Sequence, residues 1–176
     1  MENQNILSEE DVKIVVNILS KLKPGFLPFP IFHEIARLTA VPILEVVPLR
    51  KTENGIEILL LQRDQDDPVW PGQLHTPGTV IRATDCDTNF KEAFNRIFDN
   101  ELTDVQASEP VFVNNTIHHS GRSTEISQIY WTEVTGESKV GKFYDVDNLP
   151  TELIQTQLDF IPAAIEHFKQ TLIKVK

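Results

Sequence analysis

Trp70-Pro-Gly-Gln-Leu-His-Thr-Pro-Gly78, and after it Ala93-Phe-Asn-Arg96-Ile-Phe-Asp-Asn-Glu101, is the stretch on which the fold turns. In the first piece Pro71, Gly72, Pro77 and Gly78 punctuate a short run, which predicts a loop leading into an extended segment through Ile81. The second piece belongs to the strongest helix signal in the chain, Asn89 to Leu102. At about 100° per residue, Phe90, Phe94, Ile97, Phe98 and Leu102 share one broad arc. Glu101 falls inside that arc, whereas Glu92 and Asp99 lie together on another side, a solvated face with Arg96 nearby. A carboxylate within an apolar arc is costly unless it has a partner. Glu101 is therefore read as a candidate functional acid, the alternative being a helix-end acid that escapes to solvent.

Upstream, Ser8-Glu-Glu-Asp11 reads as an N-cap with acids in the first turn of a helix whose apolar set is Val12, Val15, Val16, Leu19 and Leu22. Pro24-Gly25 ends it, Pro28 and Pro30 keep the chain extended, and Ile31 to Ala40 forms a second short helix. Residues 1–41 thus read as an N-terminal helical extension packed on a main domain of residues 42–176. Ile43 to Arg50 and Ile56 to Arg63 predict two strands joined at Asn54-Gly55, a hairpin signal because both residues tolerate positive φ. Pro48 lacks a ladder donor, so its strand lies at an edge or its missing N–H faces outward. Pro110 to His118 and Glu125 to Val134 predict further strands, Phe143 to Pro150 a turn, and Ile161 to Lys174 a closing helix with Pro162 in its first turn. This order predicts an α/β (α+β) domain, a mixed sheet with helices packed on it. His118 and His119 are adjacent on a strand, point to opposite faces, and make no joint metal site.

These motifs resemble the Nudix superfamily, whose box G-x5-E-x7-R-E-U-x-E-E-x-G-U, with U aliphatic, makes a loop, a helix and a second loop. Pro77-Gly78 stands at the family's Pro-Gly-Gly, with Thr79 for the second glycine. Asp85 stands for the first glutamate, and Ala93-Phe-Asn-Arg96 for the helix leading to the family arginine, with three residues inserted between. Of the helix acids only Glu101 remains: Ile97 and Asn100 replace the other two, and Thr103 replaces the glycine. The resemblance spans roughly residues 42 to 165. It implies a mixed sheet sandwiched by helices and a diphosphate hydrolase using Mg²⁺ or Mn²⁺, held here by Glu101 and Asp85. A hard cation wants several oxygen ligands, and diphosphate hydrolysis needs the developing charge neutralised. It further implies catalytic roles for Glu101, for Arg96, which would pair with Asp85, and for Glu125 as a carboxylate from outside the box. Arg63, Arg82 and Arg122 would contact phosphate, Gly78 would shape the substrate loop, and Trp70 would stack on a base or wall a pocket.

The formal charge of −10, from sixteen basic and twenty-six acidic residues, disfavours a nucleic-acid polymer, which needs a basic stripe. It leaves room for a small phosphate-containing anion held by a local arginine cluster. The longest apolar run, Ile58 to Leu61, is far shorter than the ~20 residues that span a bilayer. The first ten residues carry acids and no basic stretch, unlike a secretory leader, and the single Cys86 suits a reducing cytoplasm. Three functions compete on these terms. One is a hydrolase of a nucleoside-diphosphate-type substrate with a depleted metal box. Another is an inactive Nudix-fold module that binds a nucleotide or sugar nucleotide. The third is an interaction domain whose N-terminal helices form a homodimer.

Overall fold

In the computed structural model, which describes residues 7–174, regular structure begins at a capping box. The Ser8 Oγ accepts from the Asp11 N–H at 3.2 Å while the Asp11 carboxylate takes the Ser8 N–H at 3.0 Å, which starts α1 (Glu9–Leu19). The helix ends at Ser20, short of Pro24-Gly25, where the Ser20 hydroxyl donates to the Asn17 carbonyl. No residue of α1 is buried. α2 (Phe29–Leu38) carries Pro30 in its first turn and docks through Phe32 and Ala36 onto Val41, Ile43 and Val80. Within the helical extension, packing on the main domain is thus carried by α2. The acids and missing basic stretch of residues 1–6 lie outside the described residues.

The hairpin forms as its sequence dictates: β1 (Ala40–Lys51) and β2 (Ile56–Gln62) pair from Lys51↔Ile56, and the Thr52 N–H donates to the Gly55 carbonyl at 2.8 Å. Gly55 alone takes positive φ, at 146°. After a loop come β3 (Leu74–His75), β4 (Gly78–Val80), a 3-10 turn (Ala83–Thr88) and α3 (Lys91–Glu101). Then follow β5 (Gln106–Ala107), β6 (Val111–His119), β7 (Thr124–Thr135) and β8 (Gly141–Asp145). A second 3-10 turn (Gln155–Asp159) leads into α4 (Ile161–Lys174). The eight strands make one mixed sheet with helices on both faces.

β1 and β7 run parallel from Ala40↔Thr124 to Leu49↔Glu133, and the other edge of β1 is divided between two partners. β4 pairs with Ile43–Glu45 and β2 with Leu49–Lys51. Pro48 falls in the fork between them, so β1 is interior and its missing donor meets a gap rather than a sheet edge. Residues alternate faces along β1: Leu44 and Val46 join Ala93, Ile97 and Leu102 of the α3 side, while Val47 and Leu49 join Phe160, Ile161 and Phe168 of the α4 side. β8 replaces the turn expected from Phe143 onward. It pairs Ile58↔Tyr144, putting Tyr144 against the α4 cluster and Phe143 against the α3 cluster, a burial that only β2 makes available.

Candidate functional site

The fork in the sheet brings two acids to one glycine. Glu45 is the register partner of Gly78, and the Val46 N–H donates to the Pro77 carbonyl at 2.9 Å, which holds the Pro-Gly turn in the gap. The Glu45 carboxyl lies so close that a Cβ on residue 78 would sit 2.6 Å from Oε2, so a side chain there would push the carboxyl aside. From the end of α3, Glu101 receives the Gly78 N–H at 3.4 Å. Thr76 Oγ1 donates to Glu45 Oε2 at 3.1 Å, and Gln157 of the second 3-10 turn accepts the Thr76 N–H at 2.8 Å.

These acids favour their protonated forms. Glu45 is part-buried as a residue, but its carboxyl is enclosed. Burial pushes it up to about 8; Glu125 and Glu101 add to the rise, while Thr76 and Arg63 oppose it. Burial raises Glu101 to about 7, with Arg63 and the Gly78 N–H pulling back. His75 moves the other way: burial and Arg63 lower it to about 4, so its ring is neutral at pH 7. Its Nδ1 lies 2.8 Å from the Thr76 carbonyl, which assigns the proton to Nδ1 and leaves Nε2 as an acceptor.

Around the fork, Arg63, Asp67, His75, Asn100 and Glu101 line a cleft of about 370 Å³. Arg63 also lines a narrow recess with Glu45, Trp70, Arg122, Glu125 and His118, so it joins the two. Two guanidinium groups lie near the Trp70 ring, Arg63 at 5.9 Å and Arg122 at 5.3 Å from its centroid. Glu125 faces this recess from β7 but is held in place. Arg122 Nη2 donates to it at 2.7 Å, Ser120 Oγ at 2.9 Å, and His118 Nε2 lies 3.4 Å away.

The residues singled out in the sequence thus divide. Glu101, Gly78, Arg63, Trp70 and Glu125 gather at the fork and its walls. Asp85 is fully buried and forms a two-pronged pair with Arg96, at 2.7 and 2.8 Å, while its Oδ2 also accepts the Arg82 N–H at 2.7 Å. This pair ties the loop to α3. The Arg82 side chain lies elsewhere, lining a cavity under α2 with its Cζ 5.9 Å from the Phe26 ring. Ile97 points into the core beneath α3, and Asn100 lines the cleft while donating to the Arg96 carbonyl at 2.7 Å. Sequence reading passed over Glu45 and His75. The signal for Glu45 was present, a lone acid in the apolar run Val41 to Leu49.

The resemblance implies a divalent cation, and the donors do not fit one. A hard cation takes about six oxygens, several of them anionic. The fork offers Glu45 and Glu101, both inclined to keep a proton, while both oxygens of Asp85 are taken and Glu125 is bonded to Arg122. Among the described residues no group of three His, Cys, Asp or Glu side chains is placed to hold a metal ion.

No protein-family profile matches the sequence, and no curated relative matches it. Solved structures do match in shape. The Nudix domain of Shewanella oneidensis NrtR, solved with ADP-ribose, superposes with a TM-score of 0.54 at 14% identity, over 92% of this chain and 99% of that one. A mutT/Nudix family protein from Listeria innocua gives 0.56 at 15%, over 77% and 98%. The C-terminal domain of mouse MUTYH, solved with human PCNA, gives 0.54 at 12%, over 75% and 91%. The fold of this chain is the Nudix fold.

Proposed function

We propose that this Nudix-fold chain binds a small diphosphate-bearing ligand of the nucleoside-diphosphate class and turns it over poorly, acting as a binding module. The observation that carries this reading is the charge of the site. Two carboxyls whose pKa values are raised toward neutrality or above it flank Gly78, and Arg63 and Arg122 lie near the Trp70 ring. Acids kept neutral do not repel a phosphate, and they can donate hydrogen bonds to its oxygens. The arginines supply the opposing charge, and Trp70 a surface on which a base can stack. ADP-ribose bound to the NrtR domain is the ligand type that this arrangement suggests testing first. A homodimer through α1 and a cytoplasmic setting, which suits the single exposed Cys86, complete the reading. Among the described residues no helix is long and apolar enough to cross a membrane.

Calorimetric titration of ADP-ribose into the protein with EDTA present should show binding, weaker at pH 8.5 than at pH 6.5 as the two carboxyls ionise. Arg63→Gln should weaken it roughly tenfold, the loss of one charge-assisted contact. Phosphorus NMR should find the ligand intact after incubation with Mg²⁺ or Mn²⁺. Metal-dependent cleavage would overturn the binding-module reading in favour of a hydrolase, and absence of binding to ADP-ribose and nucleoside diphosphates would remove the ligand class.

A further inference from the structure

A cavity of about 490 Å³ lies outside the cleft, under α2 and the segment that leads into it. Its volume is that of a small-molecule site. Phe29, Phe32 and Ala36 of α2 line it, as do Val80 and Ile81. Lys23, Arg82 and Arg122 border it, and no Asp or Glu is among its lining residues. In a chain with twenty-six acids and sixteen bases, this is a local reversal of charge. Neither Lys23 nor Arg82 forms an ion pair with any described residue. The guanidinium carbons lie over rings at the cavity, Arg82 at 5.9 Å from Phe26 and Arg122 at 5.4 Å from Phe32. Phe26 is 80% exposed, an aromatic ring left to water at the rim.

We propose that this cavity binds a small planar apolar acid, an aromatic ring system bearing one carboxylate, at a site separate from the diphosphate cleft. The ring packs on the wall formed by Phe29 and Phe32, and the carboxylate meets Arg82 and Lys23, since a guanidinium matches a carboxylate two-pronged. Arg122 links the two sites: it borders this cavity, bonds Glu125, and lies 5.3 Å from Trp70. A ligand here therefore acts on one wall of the cleft.

The test uses 2-naphthoate and its neutral counterpart 2-naphthalenemethanol, titrated by calorimetry and by amide shifts of ¹⁵N-labelled full chain. The acid should bind at least tenfold tighter than the alcohol, with shifts centred on Ala36, Val80 and Ile81. The paired change Lys23→Gln with Arg82→Gln should abolish most of that preference. Both side chains border the cavity without ion pairs, so this variant should fold normally, and a thermal melt checks it. Ala36→Phe, which fills the cavity, should remove binding of both compounds. Equal affinity for acid and alcohol, a preference unchanged in the charge variant, or shifts confined to the exposed aliphatic residues of α1 would each overturn the proposal.

Discussion

Glu45 sets the pH behaviour of the site through one buried carboxyl. Its pKa, raised from 4.5 to about 8, means that the folded protein holds this proton more tightly than the unfolded chain. The stability it contributes is full below about pH 4.5 and is lost as pH rises through about 8. Glu101 acts in the same direction up to about 7. His75, lowered to about 4, acts oppositely: folding excludes its proton, so stability rises with pH from about 4 to 6.5. The opposing effects overlap below pH 6.5, and from pH 7 to 8 Glu45 carries most of the change, with the end of the Glu101 titration added to it. Unfolding free energy should fall by on the order of 1 kcal/mol between pH 7 and 8 in urea melts, and Glu45→Gln should flatten that slope. Parallel slopes in the two proteins would mean that the Glu45 carboxyl ionises like an exposed one.

α3 turns its inner face to packing. Ile97 is fully buried among Leu44, Val46 and Leu59, a position that stabilises the helix against the sheet and supplies no ligand. The tether at its other side persists. Hydrogen bonding by Arg96 holds the buried Asp85 carboxyl below its usual range, opposed by burial itself. This stability is present above about pH 4 and is lost as pH falls through the depressed pKa. Arg96→Met strands the carboxylate and should cost on the order of 2–4 kcal/mol at pH 7. The loss should shrink in melts as pH falls through that depressed pKa, where the wild-type carboxyl also takes a proton. A midpoint and m-value equal to wild type at pH 7 would make Arg96 a dispensable surface residue.

Over the whole molecule, the exposed aliphatic residues concentrate on α1. Val12, Ile14, Val15, Val16, Ile18 and Leu19 are each 44% to 60% exposed, on a helix of eleven residues that buries nothing. Isolated helices this short are marginal in water, and an aliphatic surface of this kind marks an association site. Self-association through α1 predicts a mass near twice 20.0 kDa by light scattering at micromolar concentration. Val15→Glu with Ile18→Glu should return the protein to a monomer without loss of thermal stability in the main domain. A wild-type protein that is monomeric at that concentration would remove the homodimer.

The elements that the sequence determined by itself are those whose signals are local. The Asn54-Gly55 hairpin, the N-cap at Ser8 and the periodicity of α3 rest on residues near one another in the chain or on one helix, whereas the Asp85–Arg96 pair was legible only through the family resemblance. The tertiary structure decided what depends on ladder register and burial. Glu45 meets Gly78 because β1 divides its edge between β4 and β2, and no periodicity in either segment encodes that fork. Arg63, Trp70 and Arg122 converge, and Arg82 departs to a separate cavity, although all four read alike as candidates for a phosphate site or its wall. β8 becomes a strand because β2 offers it a partner and two cores to fill. Charge, turn chemistry and helix spacing are properties of a segment. Proximity across the sheet belongs to the folded chain, because segments distant in sequence meet only when folding overcomes the loop-closure entropy between them.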